Sequence, residues 1–396
     1  MDVGIGLSTD KDPLQATREA AQRAKLDLRI EEAHLAIVFS SADFAHPGTC
    51  RTISGILGAV PIVGCSSAAI ITSQGIFSYG ILVMLLRFPK DIHCNLASVK
   101  DIKTESAVDS GQQLGEKLLY GFQGIRRDLA MVLSDKLLDE GQGLIYGLQE
   151  RLGKSFPLVG ASVSKNPRAL KSHLYFNNEV TSDTAIGLMW GGKTYFGLGL
   201  RHGWKPIGKP RRVTKAKGNV VYEIDNAPAS GLYEKYLACD RPALHKDLTR
   251  IAALYPIGIH LAGQKEYILR NIISIQDDGS IVFQGPVPLE SQIRFMISTK
   301  ESCLEAARLA AEETKKTLLG RQIDFAFVFE SLVRYRLLGR ETAKELTILK
   351  ETLGQHIPIV GICTHGEQAP LSAIGYQGQA YFHNHSIAVV TMGSQK

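Results

Sequence analysis

The sequence predicts an α/β fold with mixed sheets, built from a strand–helix–strand–helix–strand unit that is written more than once. The first observation is a recurring apolar run that ends in polar residues: AHLAIVFSS (Ala33–Ser41), RDLAMVLSD (Arg127–Asp135) and IDFAFVFESLVR (Ile323–Arg334). The second is a proline-aliphatic-Val-Gly segment after each run: VPIVGCSSAA (Val60–Ala69), FPLVGASVSK (Phe156–Lys165) and HIPIVGICTHGEQAP (His356–Pro370). The gaps are similar, 24 from Phe39 to Val63, 26 from Leu133 to Val159 and 31 from Phe329 to Val360. An internal repeat governs every later assignment. The third observation is that runs such as AIVFS are continuously apolar, as strands buried on both faces are. Alternating with helical segments, they imply parallel pairings inside a layered domain.

In chain order, VGIGLST (3–9) predicts a strand. A helix start follows, with Asp12 as cap, Pro13 at the first helical position and Gln15 placed to reach back to the cap amide. The helix LQATREAAQRAK carries Ala and Leu at the spacing of one buried face. The combination recurs late, as the strand IRFMIST (293–299), Ser302 as cap, Glu305 three residues on, and LEAARLAAEETKKTLL. GILVMLLRF (80–88) predicts a closing strand. SHLYFNNEV, TAIGLMW and KTYFGLGL predict antiparallel strands at an edge, the last two joined through Gly191-Gly192.

An insertion of Arg201–Gln292 separates the second and third copies. It opens on the Gly- and Pro-containing HGWKPIGKP, which marks a loop or boundary. A strand and then a helix from about Ala229 follow, and IISIQDDGSIVFQG signals a hairpin turning at Asp278-Gly279. The expected division is into residues 1–200, holding two copies, and 201–396, holding the insertion and the third.

A chain of 396 residues with 44% hydrophobic and 21% charged residues is ordinary for a globular protein of two or three domains. The net charge of +6 is mild. Seven cations lie in 201–217 (Arg201, Lys205, Lys209, Arg211, Arg212, Lys215, Lys217), where a solvated loop is expected and only Trp204 is near, so nucleic acid is not the expected partner. The six cysteines include no CxxC, which argues against a zinc ribbon or a disulfide framework and for free thiols in a reducing compartment. The N-terminus has no secretory pattern and the aliphatic run Ile81–Leu86 is too short to span a membrane. A cytoplasmic location is the expectation.

Taken in order, VGIGLST with DPLQATREAAQRA, PIVGCSSAA, HGWKPIGKPRRVTKAKGNVVYEIDN, YPIGI with YILRNI, DGSIVFQGPVP, PIVGICTHGEQAP and the closing YFHNHS resemble a FIST protein over nearly the whole chain. The resemblance implies an N-terminal and a C-terminal FIST domain and a sensory role: a small ligand, amino acids being the usual suggestion, and a signalling protein as partner. It implies no catalytic mechanism and no cofactor. Two departures stand out. Ser331 occupies the place of a cysteine that the family often carries before its arginine. Ile70 stands where the first domain often has a glutamate, whereas the third copy keeps Glu367. The resemblance thus directs attention to the C-terminal half.

The residues themselves allow several chemistries. Ligands collect at the carboxyl ends of strands in open α/β sheets, where Ser331, Arg334 and the loop Gly361, Cys363, Thr364, His365 and Glu367 fall. An arginine offers a carboxylate a two-pronged contact and a glutamate can hold an ammonium, so Arg334 with Glu367 is either an amino-acid clamp or an internal salt bridge. His383 and Asn384 near the end, with Ser66, Ser67 and Ser162 at equivalent loops, complete the candidate ligand set. His365, Glu367, His383 and His385 fit no standard zinc spacing, although period two places the last two histidines on one strand face; no metal is expected. Cys363 beside His365 is the enzyme alternative, a thiol-dependent hydrolase or transferase. Ser66 and Ser162 at its equivalent positions point instead to packing. A third alternative is an interaction scaffold using the basic segment 205–217. Trp204 is expected to pin a crossing loop.

Overall fold

The computed structural model describes residues 1–29, 32–102, 106–135, 141–163, 172–264, 266–318, 320–371 and 378–394. The last two residues of FPLVGASVSK, Ser164 and Lys165, lie outside them. The first unit runs β1 (Asp2–Ser8), α1 (Pro13–Leu28), β2 (Leu35–Ser41), α2 (Thr49–Leu57), β3 (Ile62–Ser67), β4 (Ile70–Thr72), β5 (Gly75–Phe77) and β6 (Ile81–Arg87). The second runs β7 (Ile92–Val99), α3 (Ala107–Tyr120), β8 (Arg127–Ser134), α4 (Gly141–Leu152), β9 (Leu158–Val163), β10 (Leu174–Phe176), β11 (Glu179–Thr181) and β12 (Ala185–Gly192).

After β13 (Thr194–Arg201) the chain enters the inserted region. Its strands are β14 (Lys205–Lys217), β15 (Val220–Ile224) and β16 (Ala227–Pro228), then the helices α5 (Ser230–Leu237), α6 (Arg241–Lys246) and α7 (Leu248–Leu254). It closes with β17 (Ile257–His260), β18 (Tyr267–Arg270), β19 (Ile272–Ile275), β20 (Ile281–Phe283) and β21 (Gln292–Ile297). The third unit resumes with α8 (Lys300–Leu318), β22 (Phe325–Ser331), α9 (Leu332–Leu338), α10 (Thr342–Leu353), β23 (Ile359–Pro370), β24 (Ala380–His383) and β25 (Ile387–Ser394).

Each apolar run pairs in parallel with its P-x-V-G strand, in the same register: Val38 faces Gly64, Val132 faces Gly160 and Val328 faces Gly361. A Cβ on any of these glycines would come within 2.0 Å of the facing valine carbonyl oxygen, so no other residue fits. Alternate residues then divide between two environments. Leu35, Ile37 and Phe39, Leu129, Met131 and Leu133, and Phe325, Phe327 and Phe329 face one shared core between the sheets. Ala36 and Val38, Ala130 and Val132, and Ala326 and Val328 face the helices outside. The result is an α/β architecture with mixed parallel and antiparallel pairings.

Sheet order shows where the sequence reading needs correction. The first sheet runs β1-β6-β2-β3-β10-β11, and the second runs β13-β25-β22-β23-β9-β8-β12-β7. The local order first–last–second–third strand, seen as β1-β6-β2-β3 and β7-β12-β8-β9, is completed in the third unit by β13, not by IRFMIST. IRFMIST supplies β21, which pairs β14 and β17 in a separate sheet, β18-β17-β21-β14-β15-β20-β19. A side chain at Gly199 would strike the carbonyl of Ala310 at 2.0 Å, just as one at Gly6 would strike that of Ala20. The alternating glycines of GIGL and GLGL therefore let α1 and α8 lie directly on their strands. It follows that β12 and β13 do not form a hairpin at Gly191-Gly192; they sit far apart in the second sheet's order. Residue 200 lies within β13, and the second sheet draws strands from both sides of it.

Local signals fared unevenly. Asp12 caps α1, its Oδ1 accepting from Gln15 N at 2.6 Å, but the Asp12 amide is held by Asp10 rather than by the Gln15 side chain. The cap of α8 is one turn earlier than expected: Ser302 N donates to Thr299 Oγ1 at 3.2 Å. The Asp278-Gly279 hairpin forms between β19 and β20. The basic segment is the strand β14, not a solvated loop, and three of its cations pair with Asp225, Glu290 and Glu223. Trp204 is buried among Leu269, Met296, Cys303 and Leu338. Among the described residues no helix is long and apolar enough to cross a membrane.

Candidate ligand-binding cleft

The parallel pair β22–β23 ends with Ser331 facing Thr364, and the chain turns there into α9. Across from this edge stand α6, α7 and β19 of the inserted region. Between them opens a cleft of about 640 Å³ lined by Ser331, Thr364 and His365 on one side. Lys246, Arg250, Asn271 and Gln284 line the other, and Arg336 comes from α9. Amides tie the two walls together: Gln284 Nε2 donates to the His365 carbonyl at 2.7 Å, Asn271 Nδ2 to Gln284 Oε1 at 3.4 Å, and Asn271 N to Asn384 Oδ1 at 3.3 Å.

The cleft is positive. Arg250 is paired with Asp247 at 2.7 Å, whereas Lys246 and Arg336 are exposed and have no carboxylate partner among the described residues. Sequence reasoning passed over Arg336 in favour of Arg334. On a helix two residues are separated by about 200°, so one of the pair in VRYR must face inward and the other outward. The residues of the opposite wall belong to the inserted region and carry no local motif.

Arg334 is the inward member, fully buried. Its Nε donates to Glu330 at 2.9 Å, Nη2 to Glu345 at 2.5 Å and to the Cys303 carbonyl at 3.0 Å, and Nη1 to the His202 carbonyl at 2.7 Å. Glu367 is also fully buried, and Ser386 donates to it through Oγ at 2.5 Å and N at 3.2 Å, with Thr364 Oγ1 on its other oxygen. Burial raises the Glu367 pKa to about 7, against those hydrogen bonds and the field of Arg334. Burial likewise pushes Glu330 well above the usual carboxylate range, with Arg334 opposing. The two charges expected to clamp a zwitterion thus lie inside the protein, each held by protein groups.

The other expected residues are packed rather than presented. Gly361 lies within the sheet, against the Val328 carbonyl. Cys363 is fully buried with Ala69 and Leu332, and burial raises its thiol pKa far above the ordinary value, helped by Glu330, Glu345 and Glu367. Ser67 Oγ donates to the Cys363 carbonyl, Ser66 Oγ accepts from His173 N at 2.9 Å, and Ser162 sits opposite Gly366. His383 Nε2 bonds the Ala369 carbonyl at 2.9 Å. His383 and His385 do not share a strand face: β24 ends at His383, and His385 turns away in the left-handed conformation at φ 59°. Among the described residues no cluster of three or more His, Cys, Asp or Glu side chains is placed to hold a metal.

Comparison with protein families gives the FIST N domain over residues 34–227 and the FIST C domain over 229–370. The chain belongs to the FIST family. FIST domains are associated with small-ligand sensing and signalling. Full-length relatives include an uncharacterized protein of Mycobacterium bovis, 24% identical over 384 residues, covering 94% of this chain and 95% of that one. An uncharacterized protein of Mycobacterium tuberculosis is 22% identical over 383 residues, covering 94% and 96%. A shorter match, 34% over 109 residues, is to an uncharacterized protein of Methanocaldococcus jannaschii, covering 28% of this chain and 20% of that one. Among solved structures, the crystal structure of cyanuric acid hydrolase from A. caulinodans aligns over 100% of this chain and 99% of that one, with a TM-score of 0.39 and 9% identity. A similarity that low transfers no function to this FIST protein.

Proposed function

We propose that this FIST protein is a non-enzymatic sensor that binds a small anionic ligand, with free amino acids as the first class to consider. The site is the cleft between the inserted sheet and the β22–β23 edge. The observation that carries the reading is the convergence of Ser331, Thr364 and His365 with Lys246 and Arg336, cations that have no carboxylate partner among the described residues, around one cavity. Its volume, about 640 Å³, is in the range of small-molecule sites. The cations supply charge for a carboxylate, and the amides and hydroxyls supply orientation. Because the two walls come from different parts of the chain, a ligand held between them would favour one arrangement of the inserted sheet on the core. That difference is what a signalling partner would read.

Binding to the native state alone stabilises by RT ln(1 + [L]/Kd), about 2.7 kcal/mol at a hundredfold excess over Kd. A thermal-shift screen of amino acids, dicarboxylates and nucleotides is the test. A rise in melting temperature for at least one anionic compound supports the reading, and a flat response to all of them at millimolar concentration refutes it.

A further inference from the structure

The cleft accounts for one arginine, Arg336; the structure holds another, Arg270, whose charge no carboxylate among the described residues answers. Arg270, at the end of β18, is only 3% exposed. Its Nε donates to the Pro286 carbonyl at 3.0 Å, and its Nη1 to the carbonyls of Leu269 at 3.0 Å and Phe382 at 2.9 Å. No carboxylate pairs with it among the described residues, and its Nη2 has no hydrogen bond to any of them. The contrast is Arg334, equally buried but flanked by Glu330 and Glu345. A buried cation is ordinarily paired, since carbonyl dipoles replace its lost hydration only in part. Burial accordingly lowers the Arg270 pKa to about 9.

Arg270 lines a cavity of about 460 Å³ and is the only charged residue among the described residues that do so. The walls are mainly apolar: Val108 and Tyr146 from α3 and α4, Ile259, Leu261 and Ile268 around β17 and β18, and Tyr381 from β24. Two neighbouring amides are already engaged, Gln142 Oε1 by the Phe382 amide at 3.0 Å and Asn219 Nδ2 by the Phe283 carbonyl at 3.2 Å. No lining residue is shared with the cleft described above.

We propose that this cavity is a second binding site, for a small carboxylic acid with an apolar body, whose carboxylate pairs with Arg270. A guanidinium is suited to a carboxylate, and the missing counter-charge arrives with the ligand. The apolar walls take the hydrocarbon part, and the volume matches small-molecule sites. The ligand would touch the second unit through α3 and α4 and the inserted region through β17 and β18, so its occupancy reports on how these two parts are docked.

The test is titration calorimetry of the full chain with hexanoate and phenylacetate and with their neutral amides. At least one acid binds, and its amide binds at least about tenfold more weakly, the loss expected for a charge-assisted contact. Leu261→Trp, which puts a bulkier side chain on the apolar wall, abolishes binding, and Arg270→Gln weakens it about tenfold to a hundredfold. Arg336→Gln leaves it unchanged, which separates this site from the cleft. If Arg270→Gln does not fold, Leu261→Trp decides. The proposal is overturned if neither acid binds, if the amides bind as well as the acids, or if Leu261→Trp retains full affinity.

Discussion

Ser67 Oγ donates a 2.7 Å hydrogen bond to the carbonyl oxygen of Cys363, joining the first P-x-V-G strand to the third across 296 residues of chain. The Cys363 amide returns the contact, donating to the Ala69 carbonyl at 3.0 Å. Both residues are fully buried, so the linkage is internal architecture rather than a ligand contact. Ser67→Ala removes this buried hydrogen bond and lowers stability by about 1–3 kcal/mol in chemical denaturation. Ligand affinity at the cleft stays within about twofold of wild type if the serine is structural.

The Cys363 thiol is held far from its reactive form. It is buried against Ala69 and Leu332, and three carboxyls raise its pKa further. The native protein therefore leaves Cys363 unmodified by a thiol reagent at neutral pH, and peptide mapping finds it labelled only after denaturation. Rapid labelling of the native protein would restore the thiol-enzyme alternative.

Arg334→Met removes the cation that serves two buried carboxyls, Glu330 and Glu345. The expected cost is about 3–5 kcal/mol, read from the denaturation midpoint. A variant that keeps wild-type stability and loses ligand would instead make Arg334 a ligand contact.

The division between what the sequence disclosed and what it hid has physical causes. Buried strands were legible because their runs are continuously apolar, as Leu35–Phe39 of β2 is, and all seven residues of that strand are buried. The P-x-V-G glycine was legible because the facing carbonyl admits no side chain. The role of β13 was not, since the inserted region separates it from α8 and the glycine spacing of GLGL is what it shares with the GIGL of β1. At the site, Ser331, Thr364 and His365 are the residues that the carboxyl-end rule singles out, and all three line the cleft. Which of Arg334 and Arg336 faces outward depends on the orientation of α9, and the opposite wall is contributed by tertiary packing.

Stability carries two opposing pH signatures. The Glu367 pKa is raised to about 7 from 4.5, so the folded state binds its proton more tightly and stability falls as pH rises through that window. The difference is worth about 3 kcal/mol, fully present below pH 4.5 and lost above pH 7. His383 and His385 are held neutral, their pKa values lowered by burial to about 3 from 6.5, so their contribution runs the other way and is lost as pH falls from 6.5 toward 3. Denaturation from about pH 4 to about pH 8 should show Glu367→Gln gaining on wild type as pH rises. His385→Leu should gain on wild type as pH falls. Parallel pH profiles for all three proteins would contradict the buried titration.

The most direct measurement is titration calorimetry of the best anionic compound from the thermal-shift screen against wild type and Arg336→Gln. Arg336 is exposed, so the substitution leaves the fold intact. The account predicts binding weakened about tenfold. It also predicts that raising salt lowers wild-type affinity more than that of the variant. Unchanged affinity in Arg336→Gln, at any salt concentration, would contradict the placement of the ligand in this cleft.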